Sequence, residues 1–277
     1  MSKIINYLKL TRFQNNFITF VSVILGGLSG EVISWPRLLI AAFSASFISA
    51  GGYALNDYFD IEIDRINRPK RILPQGDILP RQAFYFALSL SIIGIILSFF
   101  LTPVSVAIAI FATIFLYIYS TKFKRELLIG NITISLICAL AFIYGGILSY
   151  NPEISLIPAM LAFLFHMGRE LLKDMEDVIG DKVLKLETFA IAFGIRTSQF
   201  LISVIFITLI ILSVFPYKLK IFSIYYFVLV LIMDFILFYA VLSLWNDPTK
   251  PNLSALSRIL KFDMLLGILA IFAGKFG

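Results

Sequence analysis

The chain has 277 residues, 60% of them hydrophobic and only 14% charged, with a mean hydropathy of +0.94. Soluble domains of this size carry about 25% charged residues, so the composition excludes an ordinary soluble domain and fits an integral membrane protein. The net charge of +6 calls for no nucleic-acid partner if it is gathered on one face of a membrane.

A bilayer core takes roughly 20 apolar residues per helix. In chain order, nine spans are predicted at 14–34, 37–57, 81–101, 103–119, 127–148, 154–173, 196–215, 222–245 and 256–275. Turn chemistry marks the breaks: Thr102-Pro103, Asn151-Pro152, Pro216 and Asp247-Pro248. The first 16 residues are mixed and basic, with no secretory pattern, and no soluble domain or low-complexity tail is expected. A single transmembrane domain over 1–277 is therefore expected. The N-terminus and the loops after spans 2, 4, 6 and 8 hold 19 of the 23 Lys and Arg. By the positive-inside rule these face the cytoplasm and the C-terminus faces out. The lone Cys138 lies in an apolar run, which excludes an intrachain disulfide and argues against a catalytic thiol.

Two acidic stretches interrupt this pattern. Residues 56–69 read NDYFDIEIDRINRP, at the end of span 2. On a helix, Asn56, Asp60 and Asp64 form one stripe, with Asp57 beside it. Residues 169–182 read RELLKDMEDVIGDK, at the end of span 6, with Asp174, Asp177 and Asp181 on one face. Asp57 and Asp174, Asp60 and Asp177, and Asp64 and Asp181 are each 117 residues apart, and Arg81 and Arg196 are 115 apart. That register predicts a parallel internal repeat of four-helix units, with both stripes on one side of the membrane and facing each other. Stacked carboxylates at a helix C-terminus are unfavourable unless something positive compensates them. Oxygen-only donors suit Mg²⁺, whereas one His and one Cys far apart do not suit Zn²⁺. Arg65, Arg68, Lys70, Arg71, Lys122, Lys124 and Arg125 accompany the acids, a mixture that fits a metal-bridged polyanion such as a diphosphate.

The same residues carry a family resemblance. NDYFDIEID resembles the N-D-x-x-D-x-x-x-D signature of the UbiA-type intramembrane prenyltransferases, and RINRPKRILPQG resembles its continuation. DMEDVIGD resembles the family's second Asp-rich motif, and YSTKFKRELLIGN its Y-S-x-x-x-K loop. The resemblance covers nearly the whole chain. It implies an all-α bundle around a central cavity open sideways to lipid, and Mg²⁺-dependent transfer of a prenyl group from a prenyl diphosphate. Carried over by position, Asn56, Asp60 and Asp64 would hold one Mg²⁺ and Asp174, Asp177 and Asp181 the other, with Asp57 a ligand or a neighbour of one. Arg71, Lys122 and Lys124 would neutralise the diphosphate. Tyr117, Tyr119 and Tyr144 would border the cavity.

LKLTRFQNN and the compact chain are most similar to the branch that makes the second ether bond of archaeal lipids. There a geranylgeranyl group passes to geranylgeranylglyceryl phosphate, and Arg12 and Asn15 would meet the acceptor phosphate. Alternatives are an aromatic acceptor of quinone or haem synthesis, a lipid diphosphate phosphatase and an ion-coupled carrier. A carrier would place its charges at mid-membrane, and only Asp234 does so. Asp234 and Asp263 read as structural, and His166 as a packed histidine before the second motif. Glu170 and Lys173 read as partners of the basic loops. The pairs Gly51-Gly52 and Gly145-Gly146 read as close helix approaches.

Overall fold

The computed structural model describes residues 3–183 and 187–275; of residues 3, 67, 125 and 179–183 it describes the backbone alone. The chain runs α1 (Lys3–Leu10), α2 (Phe13–Ser29), α3 (Trp35–Phe59), α4 (Ile61–Asn67), α5 (Pro80–Ser98), α6 (Pro103–Thr121) and α7 (Leu127–Gly146). It continues through α8 (Leu156–Val183), α9 (Phe189–Ser213), α10 (Phe215–Lys218), α11 (Ile224–Asn246) and α12 (Lys250–Lys275). No strand occurs among the described residues. Seven of these segments are long and apolar enough to cross a membrane. The predicted first and ninth spans correspond to α2 and α12, which fall outside that set. α2 has only 17 residues, and α12 opens on the polar stretch KPNLSALSRILK.

The breaks follow the prolines. Pro103 stands in the first turn of α6, and the Thr102 hydroxyl accepts from the Ser105 amide at 3.1 Å, capping the helix. α9 turns at Gly194, whose φ of 82° a residue with a side chain would reach only with strain.

The predicted repeat has a direct structural counterpart. α2 packs on α3 as α7 packs on α8, and α3 packs on α5 as α8 packs on α9. Where the loops after α2 and α7 meet, Val32 and Ser149 form an antiparallel β-bridge. These residues are 117 apart, the offset of the two acidic stripes. An antiparallel pair between equivalent residues is what a two-fold relation between the halves produces.

Between helices in lipid there is little hydrophobic driving force, so close packing does the work. α2 and α7 approach through glycine on both sides. A Cβ on Gly26 would fall 1.9 Å from the Phe142 carbonyl oxygen, and one on Gly145 1.8 Å from that of Val23. Both obstacles are backbone and cannot rotate away. Gly145→Val is expected to cost at least about 2 kcal/mol and lower the detergent-solubilised Tm. Gly267→Ala, where the nearest atom is the flexible Met233 thioether at 3.3 Å, is the tolerated control. An unchanged Tm in Gly145→Val would contradict this packing. Around the outside, large apolar side chains such as Phe99, Phe200 and Phe235 are exposed, as a lipid-facing surface requires.

Candidate active site

A cavity of about 750 Å³ opens at the end of the bundle where α3 and α8 finish. The first acidic stripe is carried there in two pieces. The sequence suggests one continuous helix, but α3 stops at Phe59, Asp60 leaves helical geometry (φ −92°, ψ 5°) and α4 begins at Ile61. The four-residue register survives the joint: the Asp60 amide donates to the Asn56 carbonyl at 3.0 Å and the Asp64 amide to that of Asp60 at 2.7 Å. The second stripe lies on α8, which continues without a break.

Asn56, Asp60, Asp64, Asp174 and Asp177 all line the cavity. The Asp181 side chain lies outside the described residues. The two motifs meet: the Arg68 guanidinium lies 3.5 Å from Asp177. Each of the other acids is partnered too. Asn56 donates to Asp60 at 2.8 Å, and Lys124 pairs with the same carboxylate. Arg71 pairs with Asp64, and Asn131 donates to Asp174 at 2.9 Å. Burial pushes the Asp64 carboxyl above the usual carboxylate value, and the Arg71 guanidinium pulls against that shift.

Three expectations change. Lys122 is exposed and does not line the cavity, whereas Lys124 does. The chain leaves α6 at Lys122, and a single 3₁₀ turn, Phe123–Arg125, swings Lys124 inward. Asp57 is not on the cavity wall either. Its Oδ1 accepts from Arg12 at 2.6 Å and from Arg71 at 3.1 Å, so it holds two cations behind the first stripe. Arg12 is thereby engaged, and its guanidinium also stacks over Tyr53 at 4.9 Å. It still lines the cavity with Asn15, but its charge is already compensated. Tyr119 and Tyr144 line the cavity as expected, while Tyr117 is 49% exposed on the outside.

Other residues on this wall do not stand out in the sequence. Tyr53 lies one turn before Asp57, and Asn131 closes the YSTKFKRELLIGN loop. Glu176 stands beside Asp177 and accepts from the Ser254 hydroxyl at 2.6 Å. His166 and Glu170, both singled out in the sequence, also line the cavity; Glu170 pairs with Arg169 at 3.1 Å and Lys173 at 3.0 Å on its own helix, and not with a basic loop as expected. Asp234 is buried and accepts from Ser213 at 2.9 Å, a structural contact. Asp263 is fully buried, with no hydrogen-bond partner for either oxygen among the described residues.

Residues 17–265, from α2 into α12, match the UbiA prenyltransferase family. The chain belongs to the UbiA prenyltransferase family. It is 36% identical over 276 residues to a digeranylgeranylglyceryl phosphate synthase of Methanocaldococcus jannaschii, covering 99% of this chain and 97% of that protein. A solved structure concerned with digeranylgeranylglyceryl phosphate synthase in membranes superposes with a TM-score of 0.81 at 36% identity, over 99% of both chains. A UbiA homologue from Archaeoglobus fulgidus, solved with GPP and Mg²⁺, shares the fold at 17% identity and a TM-score of 0.69, over 96% of this chain and 99% of that one. The chain is thus a multi-pass membrane prenyltransferase.

Proposed function

We propose that this protein transfers a geranylgeranyl group from geranylgeranyl diphosphate to the free hydroxyl of geranylgeranylglyceryl phosphate, forming the second ether bond of an archaeal lipid. The observation that carries this reading is full-length similarity, at 36% identity, to proteins named for that product. Residues 1–277 act as one prenyltransferase domain. The Lys and Arg asymmetry supports a cytoplasmic N-terminus and active-site mouth, with the C-terminus outside.

Mg²⁺ fits the donor chemistry of the site. Asn56, Asp60, Asp64, Asp174 and Asp177 offer oxygen ligands only, around one cavity. Among the described residues no three acids are gathered as a ready metal cluster; Lys124, Arg71 and Arg68 balance the carboxylates instead. These five residues, with Asp181, are the proposed holders. Bound there, Mg²⁺ would neutralise negative charge on the leaving diphosphate.

The rest falls to the chain. Lys124, Arg71 and Arg68 lie where they can exchange a carboxylate for diphosphate oxygens, stabilising charge that develops on the leaving group. The allylic C–O bond breaks, the acceptor hydroxyl oxygen bonds to the freed carbon, and the hydroxyl proton is released. Below the charged rim the wall is apolar and aromatic, with Phe142, Phe165, Tyr119 and Tyr144. Such a wall keeps water from the carbocation and can stabilise it through ring faces.

The test is transfer of radiolabel from the donor to the glyceryl phosphate by purified protein in detergent. EDTA is expected to stop it and excess Mg²⁺ to restore it. Transfer that survives EDTA would contradict the metal role, and transfer to no glyceryl phosphate would contradict the function.

A further inference from the structure

Among the described residues, eight cationic side chains line the cavity: six are held by carboxylates, and the other two lie on α12. Arg12, Arg68, Arg71, Lys124, Arg169 and Lys173 are the six in ion pairs. Arg258 and Lys261 have no carboxylate partner among the described residues; Lys261 reaches only the Gln14 side-chain oxygen Oε1, at 3.4 Å. Both are exposed at the mouth, open to a ligand from water or from the headgroup layer.

Their helix presents a stripe to the cavity. Ser254, Ser257, Arg258 and Lys261 are spaced three, one and three apart and all line it, as one face of a helix does. The stripe then turns apolar: Met264, Ile268 and Ile271 continue along the same wall toward Tyr226 and Phe165. Two hydroxyls and two cations without a carboxylate at one end, and a greasy track at the other, match a single-chain lipid with an anionic head. The polar end also borders the acids, since Ser254 donates to Glu176, the neighbour of Asp177.

We infer that α12 is the acceptor-binding element: Arg258 and Lys261 take the phosphate monoester of the prenylglyceryl phosphate, and Met264, Ile268 and Ile271 take its chain. This rests on the proposed function and adds the site that distinguishes acceptor from donor. The donor-side cations sit across the mouth on the segment after α4 and the loop after α6, each tied to a motif carboxylate. Arg12, engaged by Asp57 and Tyr53, supports that wall and is not the principal phosphate contact.

The test compares wild-type full-length protein with Arg258→Gln/Lys261→Gln in neutral, lipid-free detergent. Two acceptors are used, geranylgeranylglyceryl phosphate and the same alcohol without its phosphate. For the wild type, removing the phosphate is expected to lower kcat/KM at least tenfold; in the double variant that penalty falls below threefold. The KM for the phosphate acceptor rises at least tenfold while the donor KM stays within threefold. A penalty that persists in the variant, or a donor KM that rises alongside the acceptor's, overturns the assignment. So does an effect that appears only when anionic phospholipid is added, which would make these residues headgroup anchors. Binding of the phosphate acceptor alone, read by thermal shift without donor or Mg²⁺, is expected to weaken at least tenfold. Wild-type protein that binds this acceptor but does not prenylate it would overturn the proposed function and leave the site to be judged by binding. If the double variant does not purify as folded protein, Lys261→Met carries the same comparisons, with at least a threefold loss expected.

Discussion

Asp60→Asn and Asp177→Asn are each expected to lower turnover at least about 10³-fold while the protein still purifies as a folded species. The two residues belong to different halves of the repeat, 117 apart, and both line the cavity. Asparagine keeps the volume and removes the charge. At position 60 the new amide oxygen can still accept from Asn56, which donates to Asp60 at 2.8 Å in the native protein. Lys124 loses its counter-charge there, but its side chain is 31% exposed and can turn to water. At position 177 the substitution weakens the 3.5 Å approach of Arg68, between side chains 43% and 29% exposed. Such a partly solvated pair is worth under about 1 kcal/mol. A fall in turnover without a matching fall in Tm therefore marks chemistry. Turnover within tenfold of wild type in either variant would contradict the two-cluster account.

Lys124→Met is expected to cost about 10²-fold in kcat/KM for the donor, and Lys122→Met less than threefold. The two lysines are two residues apart on the same loop, so bulk charge cannot separate them. Geometry does: Lys124 pairs with Asp60 on the cavity wall, and Lys122 is exposed away from it. The methionine stem keeps the packing of the aliphatic chain and removes only the ammonium. Steady-state kinetics with donor and acceptor varied in turn check it. Equal losses in the two variants would mean the loop acts as a diffuse positive field.

Much of this site is legible in the sequence, because helix periodicity alone sets which side chains share a face. The spacings of Asn56, Asp60 and Asp64, and of Asp174 and Asp177, are enough to put each set on one helix face, and both faces line the cavity. The 117-residue offset marks the repeat, and the same offset returns in the Val32–Ser149 pair. What is not legible depends on where the chain bends and what it meets. Neither proline nor glycine marks the joint at Asp60. A three-residue 3₁₀ turn decides between Lys122 and Lys124, and no periodicity can resolve a turn that short. Asp57 has the sequence position of a ligand because its partners, Arg71 and Arg12, are 14 and 45 residues away. The α12 stripe is hidden by its own polarity. Its spacing of Ser254, Ser257, Arg258 and Lys261 is helical, but without its neighbours it reads as an ordinary charged helix end.

Acceptor competition decides the proposed function: the purified protein is given radiolabelled geranylgeranyl diphosphate and Mg²⁺. Geranylgeranylglyceryl phosphate and 4-hydroxybenzoate are supplied together at equal concentration. The label is expected in an acid-stable ether lipid, with none on the aromatic ring. Label on the ring in preference to the glyceryl phosphate would keep the fold and the acid clusters but contradict the acceptor.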